Sequence, residues 1–139
     1  MPGNTLFSII ESPAHPDFSR LYQRLGFREI RLGSMRKAIS QLRKTPPAVV
    51  VAEFFYGYGN NYAGVNVSNL DVFLYSLQKD APNARTIVLV DRSERQYVNK
   101  LTALLPVHAV LQLPVMEQDL EPLLQVESLQ PSTGPGDAP

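Results

Sequence analysis

Three acidic side chains each follow an apolar segment of this 139-residue chain: Glu11, Glu53 and Asp91. In open α/β sheets the carboxyl ends of the strands meet at one edge, where ligands bind. Carboxylates that converge there without a cation raise one another's pKa, and oxygen-only ligands suit Mg²⁺, Mn²⁺ or Ca²⁺. The alternative is that Arg92 or Arg95 pairs with them, or that they point into solvent. We predict no metal ligands, because acids after strands are common in loops without function.

The residue types do not favour thiol, histidine-based or phosphate-loop chemistry. The chain has no cysteine, which excludes disulfides, thiol catalysis and cysteine-based zinc sites. His15 and His108 are the only histidines, and neither has a partner at ligand or triad spacing. The glycines after Glu53 do not form a phosphate loop or a dinucleotide fingerprint. The sequence therefore predicts no catalytic residue and no cofactor.

The overall composition is that of an ordinary globular protein. Hydrophobic residues make up 44% and charged residues 19%, and 13 basic residues balance 13 acidic ones. This balance gives no general attraction to nucleic acid. No apolar run approaches the ~20 residues that cross a bilayer, and the N-terminus does not have the pattern of a signal peptide. We expect a cytoplasmic protein with neither nucleic acid nor a membrane as partner.

The hydrophobic pattern predicts five strand-then-helix units that position the three acids. The run from Ala48 to Glu53 lacks polar alternation, so it predicts a strand buried on both faces. We predict strands at residues 6–10, 29–32, 48–53, 86–90 and 108–113. This alternation predicts an α/β fold, with a parallel sheet covered by helices on both faces.

Residues that favour helix starts precede the stripes of apolar residues between these strands. Ser68 with Asp71, and Ser93 with Gln96, have the spacing of a capping box. The predicted helices therefore begin at Asp17, Ser34, Ser68 and Ser93. A last helix covers about residues 119–129, in which Pro122 is tolerable only within the first turn. We expect one domain over residues 1–129 and a disordered, Pro- and Gly-rich tail over residues 130–139.

Four features of the sequence define a family resemblance. They are the five βα units, an acid after strand one, an acid ending strand three, and a Leu-Gln-Leu-Pro-Val segment at residues 111–115. In these respects the chain resembles the receiver (CheY-like) domain of bacterial response regulators, over about residues 5–129. The resemblance implies a doubly wound, flavodoxin-like, three-layer α/β/α fold with strand order 2-1-3-4-5. It also implies a contact face formed by helix four, strand five and helix five, through which a homodimer is plausible.

The residues of the receiver pocket are altered in this chain. Receivers have a pair of acids after strand one, where this chain has Glu11 and Ser12, and a phospho-accepting aspartate at the end of strand three, where it has Glu53. Strand four of receivers ends in Thr or Ser, and here that residue is Asp91. A lysine precedes the proline after strand five, and here Leu113 precedes Pro114. The aromatic position of strand five is occupied by Val110. Phosphoryl transfer to a carboxylate needs Mg²⁺ and a neutralising cation, which Leu113 does not supply.

Two further changes oppose the reaction. Asp91 would repel the phosphoryl group, and the extra methylene of Glu53 moves its oxygens by about 1 Å in a geometry that tolerates ~0.5 Å. We therefore expect a degenerate receiver, a pseudo-receiver, that is neither phosphorylated nor an enzyme.

A long segment after Glu53 is rich in Tyr, Asn and Gly, the composition of adaptable binding surfaces. Its predicted contact residues are Tyr56, Tyr58, Asn60, Asn61 and Tyr62. The alternative is that Phe54 and Phe55 enter the core and the rest is simply a long loop. We predict a stand-alone regulatory domain of bacterial two-component signal transduction that acts by protein–protein contact. The alternative function is a flavodoxin-like ligand- or metal-binding protein, or an enzyme, that uses the carboxylate edge.

Overall fold

The computed structural model describes residues 4–11, 17–56 and 68–129, with side chains described as far as residue 125. Its strands are β1 (Thr5–Ile9), β2 (Arg28–Leu32), β3 (Val49–Phe54), β4 (Arg85–Val90) and β5 (Ala109–Gln112). Its helices are α1 (Ser19–Arg24), α2 (Met35–Lys44), α3 (Asp71–Asp80), α4 (Arg95–Thr102) and α5 (Glu117–Leu129), with a 3₁₀ turn at Arg92–Glu94 before α4.

The five strands form one parallel sheet in the order β2-β1-β3-β4-β5. Every residue of β3 and β4 is buried, as their apolar runs at residues 49–52 and 87–90 predict, and the burial extends to Glu53, Arg85 and Thr86. Alternate β3 residues pack on opposite faces: Val50 lies in a core with α2, α3 and α4, and Val51 in a core with α1 and α5. The predicted fold class and strand order are confirmed.

The predicted cap at Ser34 is confirmed, whereas α1 begins at Ser19 and α3 at Asp71, after the predicted starts at Asp17 and Ser68. Asp17 Oδ1 accepts the Ser19 N–H at 2.9 Å, and Ser34 Oγ accepts the Lys37 N–H at 3.2 Å. Asp71 Oδ1 accepts both the N–H and the hydroxyl of Ser68, at 2.7 and 2.8 Å. The Asp17 and Ser34 bonds satisfy backbone donors in the first turns of α1 and α2, and the Asp71 bonds hold the backbone that precedes α3.

The predicted cap at Ser93 is wrong. Asp91 takes that role: its Oδ2 accepts the Ser93 N–H at 2.9 Å and the Ser93 hydroxyl at 2.5 Å, and a 3₁₀ turn then leads into α4. Aspartate is as good an N-cap as serine, and here it stands immediately after the strand. The carboxylate that the sequence offered as a site residue is therefore part of a helix start.

The predicted position of Pro122 in the first turn of the last helix is also wrong. α5 begins at Glu117, before the predicted start, so Pro122 lies inside the helix. The earlier start has its own cap, because the Asp119 carboxylate accepts the Met116 N–H at 3.0 Å. Proline inside a helix removes one backbone hydrogen bond. Within the described residues, no helix is both long and apolar enough to span a membrane.

Candidate functional site

Glu11 and Glu53 meet at the carboxyl-terminal edge of the sheet. Glu53 is the fifth residue of β3 and only 3% exposed, and its Oε1 accepts the Glu11 backbone N–H at 2.8 Å. Burial, and then the neighbouring Glu53 carboxylate, raise the pKa of Glu11. The two acids lie close enough to repel each other, and the Glu53 carboxylate is held by the backbone that follows β1.

Asp91 does not join the two glutamates in a metal-binding group. Hydrogen bonds from the Ser93 hydroxyl and backbone N–H lower the pKa of Asp91, so its charge stabilises the 3₁₀ turn. No three His, Cys, Asp or Glu side chains of residues 4–11, 17–56 and 68–125 are arranged to hold a metal ion. The Mg²⁺ that the receiver resemblance implies does not fit the described residues, because one carboxylate is buried against backbone and another caps a turn.

The segment after β5 is apolar where a cation would be needed. The Leu113 N–H donates to the Val90 carbonyl at 2.8 Å, which carries the β4–β5 pairing one residue beyond the strand. The side chain of Leu113 packs, partly buried, against the core shared with α1 and α5. The following Leu113–Pro114 peptide bond is cis. Val110 is partly buried against the opposite core.

Asn69 fastens the start of α3 to the end of β3. Its side-chain Nδ2 donates to the Glu53 carbonyl at 2.9 Å, and its Oδ1 accepts the Phe55 N–H at 2.7 Å. The Asn69 N–H donates to the Phe55 carbonyl at 3.1 Å, and Tyr56 and Ser68 then form an antiparallel bridge. These contacts close the base of the aromatic segment and hold the backbone of Glu53.

Tyr56 lies against α4. Its ring stacks on Tyr97, with centroids 3.9 Å apart and planes at 13°, and Lys100 Nζ lies 5.5 Å from the Tyr56 ring centroid. The Tyr56 N–H donates to Glu94 Oε1 at 3.2 Å. Glu94 ends the 3₁₀ turn, and Tyr97 and Lys100 follow it on α4 at a spacing of three, so the three residues contact Tyr56 from one side. Of the predicted loop residues, Tyr56 is the one that the structure describes.

Several contributors to this site were not predicted from the sequence: Asn69, Glu94, Tyr97 and Lys100. The one sequence signal that could have identified Glu94, Tyr97 and Lys100 is their spacing of three, which places them on one side of a helix. Several predicted features lie outside the described residues. They are the site residues Ser12, Tyr58, Asn60, Asn61 and Tyr62, the histidine His15, and the tail over residues 130–139. Phe54 is buried in the core and Phe55 half-buried.

The fold is that of response regulator receiver domains. The receiver domain of AraT, a response regulator from Geobacillus stearothermophilus, matches with a TM-score of 0.72 and 14% identity over 94% of this chain and 98% of that chain. A CheY-like receiver domain protein from Methanospirillum hungatei matches at 0.68 and 9% identity, over 96% and 98% of the two chains. The N-terminal domain of a response regulator/sensory box/GGDEF protein from Carboxydothermus hydrogenoformans matches at 0.70 and 10%, over 94% and 98%.

At these identities the likeness establishes the receiver fold, and with it the predicted resemblance. No protein-family model matches the sequence, and no curated protein matches it either.

Proposed function

We propose that this chain is a degenerate receiver domain that regulates by protein–protein contact and is not phosphorylated. The observation that carries the proposal is the state of Glu53, which is 3% exposed and accepts the Glu11 backbone N–H at 2.8 Å. A phospho-accepting carboxylate must present an oxygen to an incoming phosphoryl donor, in line with the leaving group. A carboxylate buried inside its strand and bonded to the neighbouring backbone is badly placed for that attack.

The surroundings of Glu53 support the same conclusion. Charge builds on the transferred oxygens during phosphoryl transfer and needs cations to neutralise it. Here the residue before the proline is Leu113, packed among apolar side chains, and the Glu11 carboxylate lies close enough to Glu53 for the two to repel each other. Two adjacent carboxylates repel an anionic donor.

Protein contact is the function that a receiver fold without this chemistry retains. The face formed by α4, β5 and α5 contains the partly buried outer strand β5, and two apolar side chains lie beside it: Leu104 is 62% exposed and Met116 is 58% exposed. Exposed apolar side chains on either side of an outer strand offer contact area to a protein partner. We propose this face as the partner-binding surface. A homodimer through the same face remains a prediction.

The test of the missing phosphorylation is intact mass spectrometry after incubation with acetyl phosphate and Mg²⁺. The wild-type chain should gain no phosphoryl group. The matched comparison is the triple variant Glu53→Asp, Asp91→Thr, Leu113→Lys, which restores the receiver residue types at these three positions and shows whether the edge can then be made reactive. A phosphoryl adduct on the wild type that disappears in Glu53→Gln contradicts the proposal.

The alternative, a cation or small-molecule site at the carboxylate edge, rests on the proximity of Glu11 to Glu53. Calorimetric titration with millimolar Mg²⁺, Mn²⁺ and Ca²⁺, together with a thermal-shift screen of nucleotides, separates the two functions. Binding heat that is lost in Glu11→Gln favours the alternative. An absence of heat and of thermal shift favours the interaction domain.

A further inference from the structure

The strand β2 forms one outer edge of the described sheet, and its residues Glu29 and Arg31 carry opposite charges. The Leu32 carbonyl accepts the Ile10 N–H at 3.3 Å, so the peptide groups of Leu32 face β1. Peptide groups alternate in direction along an extended strand. The N–H and C=O of Ile30 therefore also face β1, and those of Glu29 and Arg31 face away from the sheet. An outer edge of this kind is a template for another strand.

We propose that this edge pairs with β2 of a second copy of the chain, antiparallel, about a two-fold axis that passes beside Ile30. In this register Glu29 lies opposite Arg31 of the second copy. The two residues then form a hydrogen-bonded pair in which each donates its N–H to the other's carbonyl, and the symmetry axis repeats the pair. The outward-facing peptide groups of both strands are satisfied at once.

The charges select this register over its neighbours. Side chains directly opposite each other in an antiparallel pair have Cβ atoms about 5 Å apart, close enough for an ion pair. A shift of two residues in one direction would place Glu29 opposite Glu29, and a shift in the other direction would place Arg31 opposite Arg31. A shift of one residue would turn the outward peptide groups out of alignment. Only the register centred on Ile30 combines backbone pairing with opposite charges.

Both charged side chains are already held in place by α1. Arg31 Nη1 donates to Asp17 Oδ1 at 3.2 Å and to Ser19 Oγ at 3.0 Å, and the Ser19 hydroxyl donates to Glu29 Oε1 at 2.6 Å. The side chain of Arg31 nevertheless remains 62% exposed. Within the described residues these bonds use one nitrogen of the guanidinium, whose forked geometry can take a second carboxylate. The side chains are therefore pre-positioned for a cross-strand pair.

The interface adds an apolar contact at its centre. Ile30 is half-buried on the opposite face of the strand, beside the core that contains α2, and meets Ile30 of the second copy across the axis. One pair of short strands buries less surface than a stable complex needs, so the dimer should be weak and depend on concentration. It lies at the sheet edge opposite β5, and it leaves the α4–β5–α5 face available to other partners.

Cysteine cross-linking tests the axis directly, because the chain has no cysteine of its own. At a non-hydrogen-bonded antiparallel pair the Cα atoms are about 4.5 Å apart, which a disulfide can bridge. Ile30→Cys should therefore form a disulfide-linked dimer under mild oxidation. The control is Tyr75→Cys on α3, a position that is 66% exposed and far from the axis. If Ile30→Cys cross-links no better than Tyr75→Cys at the same concentration, the proposal is overturned.

A charge exchange tests the register without altering the apolar contact. Sedimentation equilibrium of the wild type should show a monomer–dimer equilibrium. Glu29→Arg and Arg31→Glu should each weaken dimerisation about tenfold, because each places like charges opposite one another. The double exchange should recover part of the lost dimerisation, because it restores the cross-strand ion pairs but loses the bonds of Arg31 to Asp17 and Ser19. A wild type that stays monomeric at millimolar concentration, or a double exchange as weak as the single variants, refutes the pairing.

The same measurement separates this dimer from one through the α4–β5–α5 face. Met116→Glu introduces a charge beside that face and should leave the β2 dimer unchanged. A dimer that dissociates in Met116→Glu but persists in Glu29→Arg belongs to the other face, and the β2 proposal then fails. Thermal unfolding at a dilution where all variants are monomeric verifies that each one is folded.

Discussion

Asn69 connects the end of β3 to the start of α3, and its replacement by alanine should destabilise the protein substantially. The side chain is buried and makes two hydrogen bonds to the main chain: Nδ2 donates to the Glu53 carbonyl at 2.9 Å, and Oδ1 accepts the Phe55 N–H at 2.7 Å. Alanine removes both bonds and leaves both backbone groups in place. The loss should therefore exceed that of a surface hydrogen bond.

The magnitude follows from the burial of the two groups. A buried polar group left without its partner costs about 1–3 kcal/mol. The Glu53 carbonyl is buried and falls within that range, whereas the Phe55 N–H is partly buried and nearer about 1 kcal/mol because water can reach it. We expect Asn69→Ala to lower the free energy of unfolding by about 2–4 kcal/mol. For a domain of this size each kcal/mol lowers Tm by roughly 3 °C.

Urea unfolding at fixed pH, followed by circular dichroism, measures this loss. Asn69→Asp is the informative companion, because it keeps an acceptor for the Phe55 N–H and loses the donor to the Glu53 carbonyl. Asn99→Ala, at an exposed position of α4, is the matched control and should change stability by less than about 0.5 kcal/mol. If Asn69→Ala costs no more than Asn99→Ala, Asn69 does not fasten β3 to α3.

Three further predictions concern other contacts of the fold. A double-mutant cycle with Tyr56→Ala and Tyr97→Ala should give a coupling energy of about 0.5–1.5 kcal/mol in urea unfolding, and additive losses would show that the ring stack contributes nothing. The pKa of Glu11 is raised above 4.5, so its contribution to stability is present below pH 4.5 and is lost as the pH rises through the raised pKa. Glu11→Gln should flatten this fall in a pH series of Tm values, and so should Glu53→Gln in part; an unchanged profile would contradict the assigned environment. Ser34→Ala should cost about 1 kcal/mol through loss of the α2 cap, measured against Ser34→Thr, which retains a hydroxyl.

The sheet was predictable because two of its three interior strands have sequences typical of strands buried on both faces. Val49 to Val51 and Ile87 to Val90 are continuous apolar runs, and all of these residues are buried on both faces of the sheet. The strand order came from the family resemblance, because the hydrophobic pattern alone fixes the elements and not their neighbours. The choice between caps was harder to predict, because Asp91 and Ser93 are both good N-cap residues and lie two positions apart.

The site was only partly predictable, because its main contacts join residues distant in the chain. Glu11 and Glu53 could be placed at one edge by topology alone. The Asn69 bonds span 14 and 16 positions, and the Tyr56 bond to Glu94 spans 38. No local pattern encodes such pairs, since they depend on how α3 and α4 settle on the sheet. No sequence pattern distinguishes Asn69 from the asparagines of the preceding segment.

Two acids at the carboxyl-terminal edge, Glu53 and Asp91, hold the backbone of the fold in place, and this supports the proposal that the edge is not phosphorylated. Glu53 accepts a backbone N–H from the residue that follows β1, and Asp91 starts the turn into α4. A carboxylate that already satisfies backbone donors must lose those bonds before it can hold a cation or attack phosphorus. Losing them would loosen the connection to β1 at Glu53 and the start of α4 at Asp91. The hydrogen bonds that stabilise this edge therefore oppose the reaction that its position in the fold suggests.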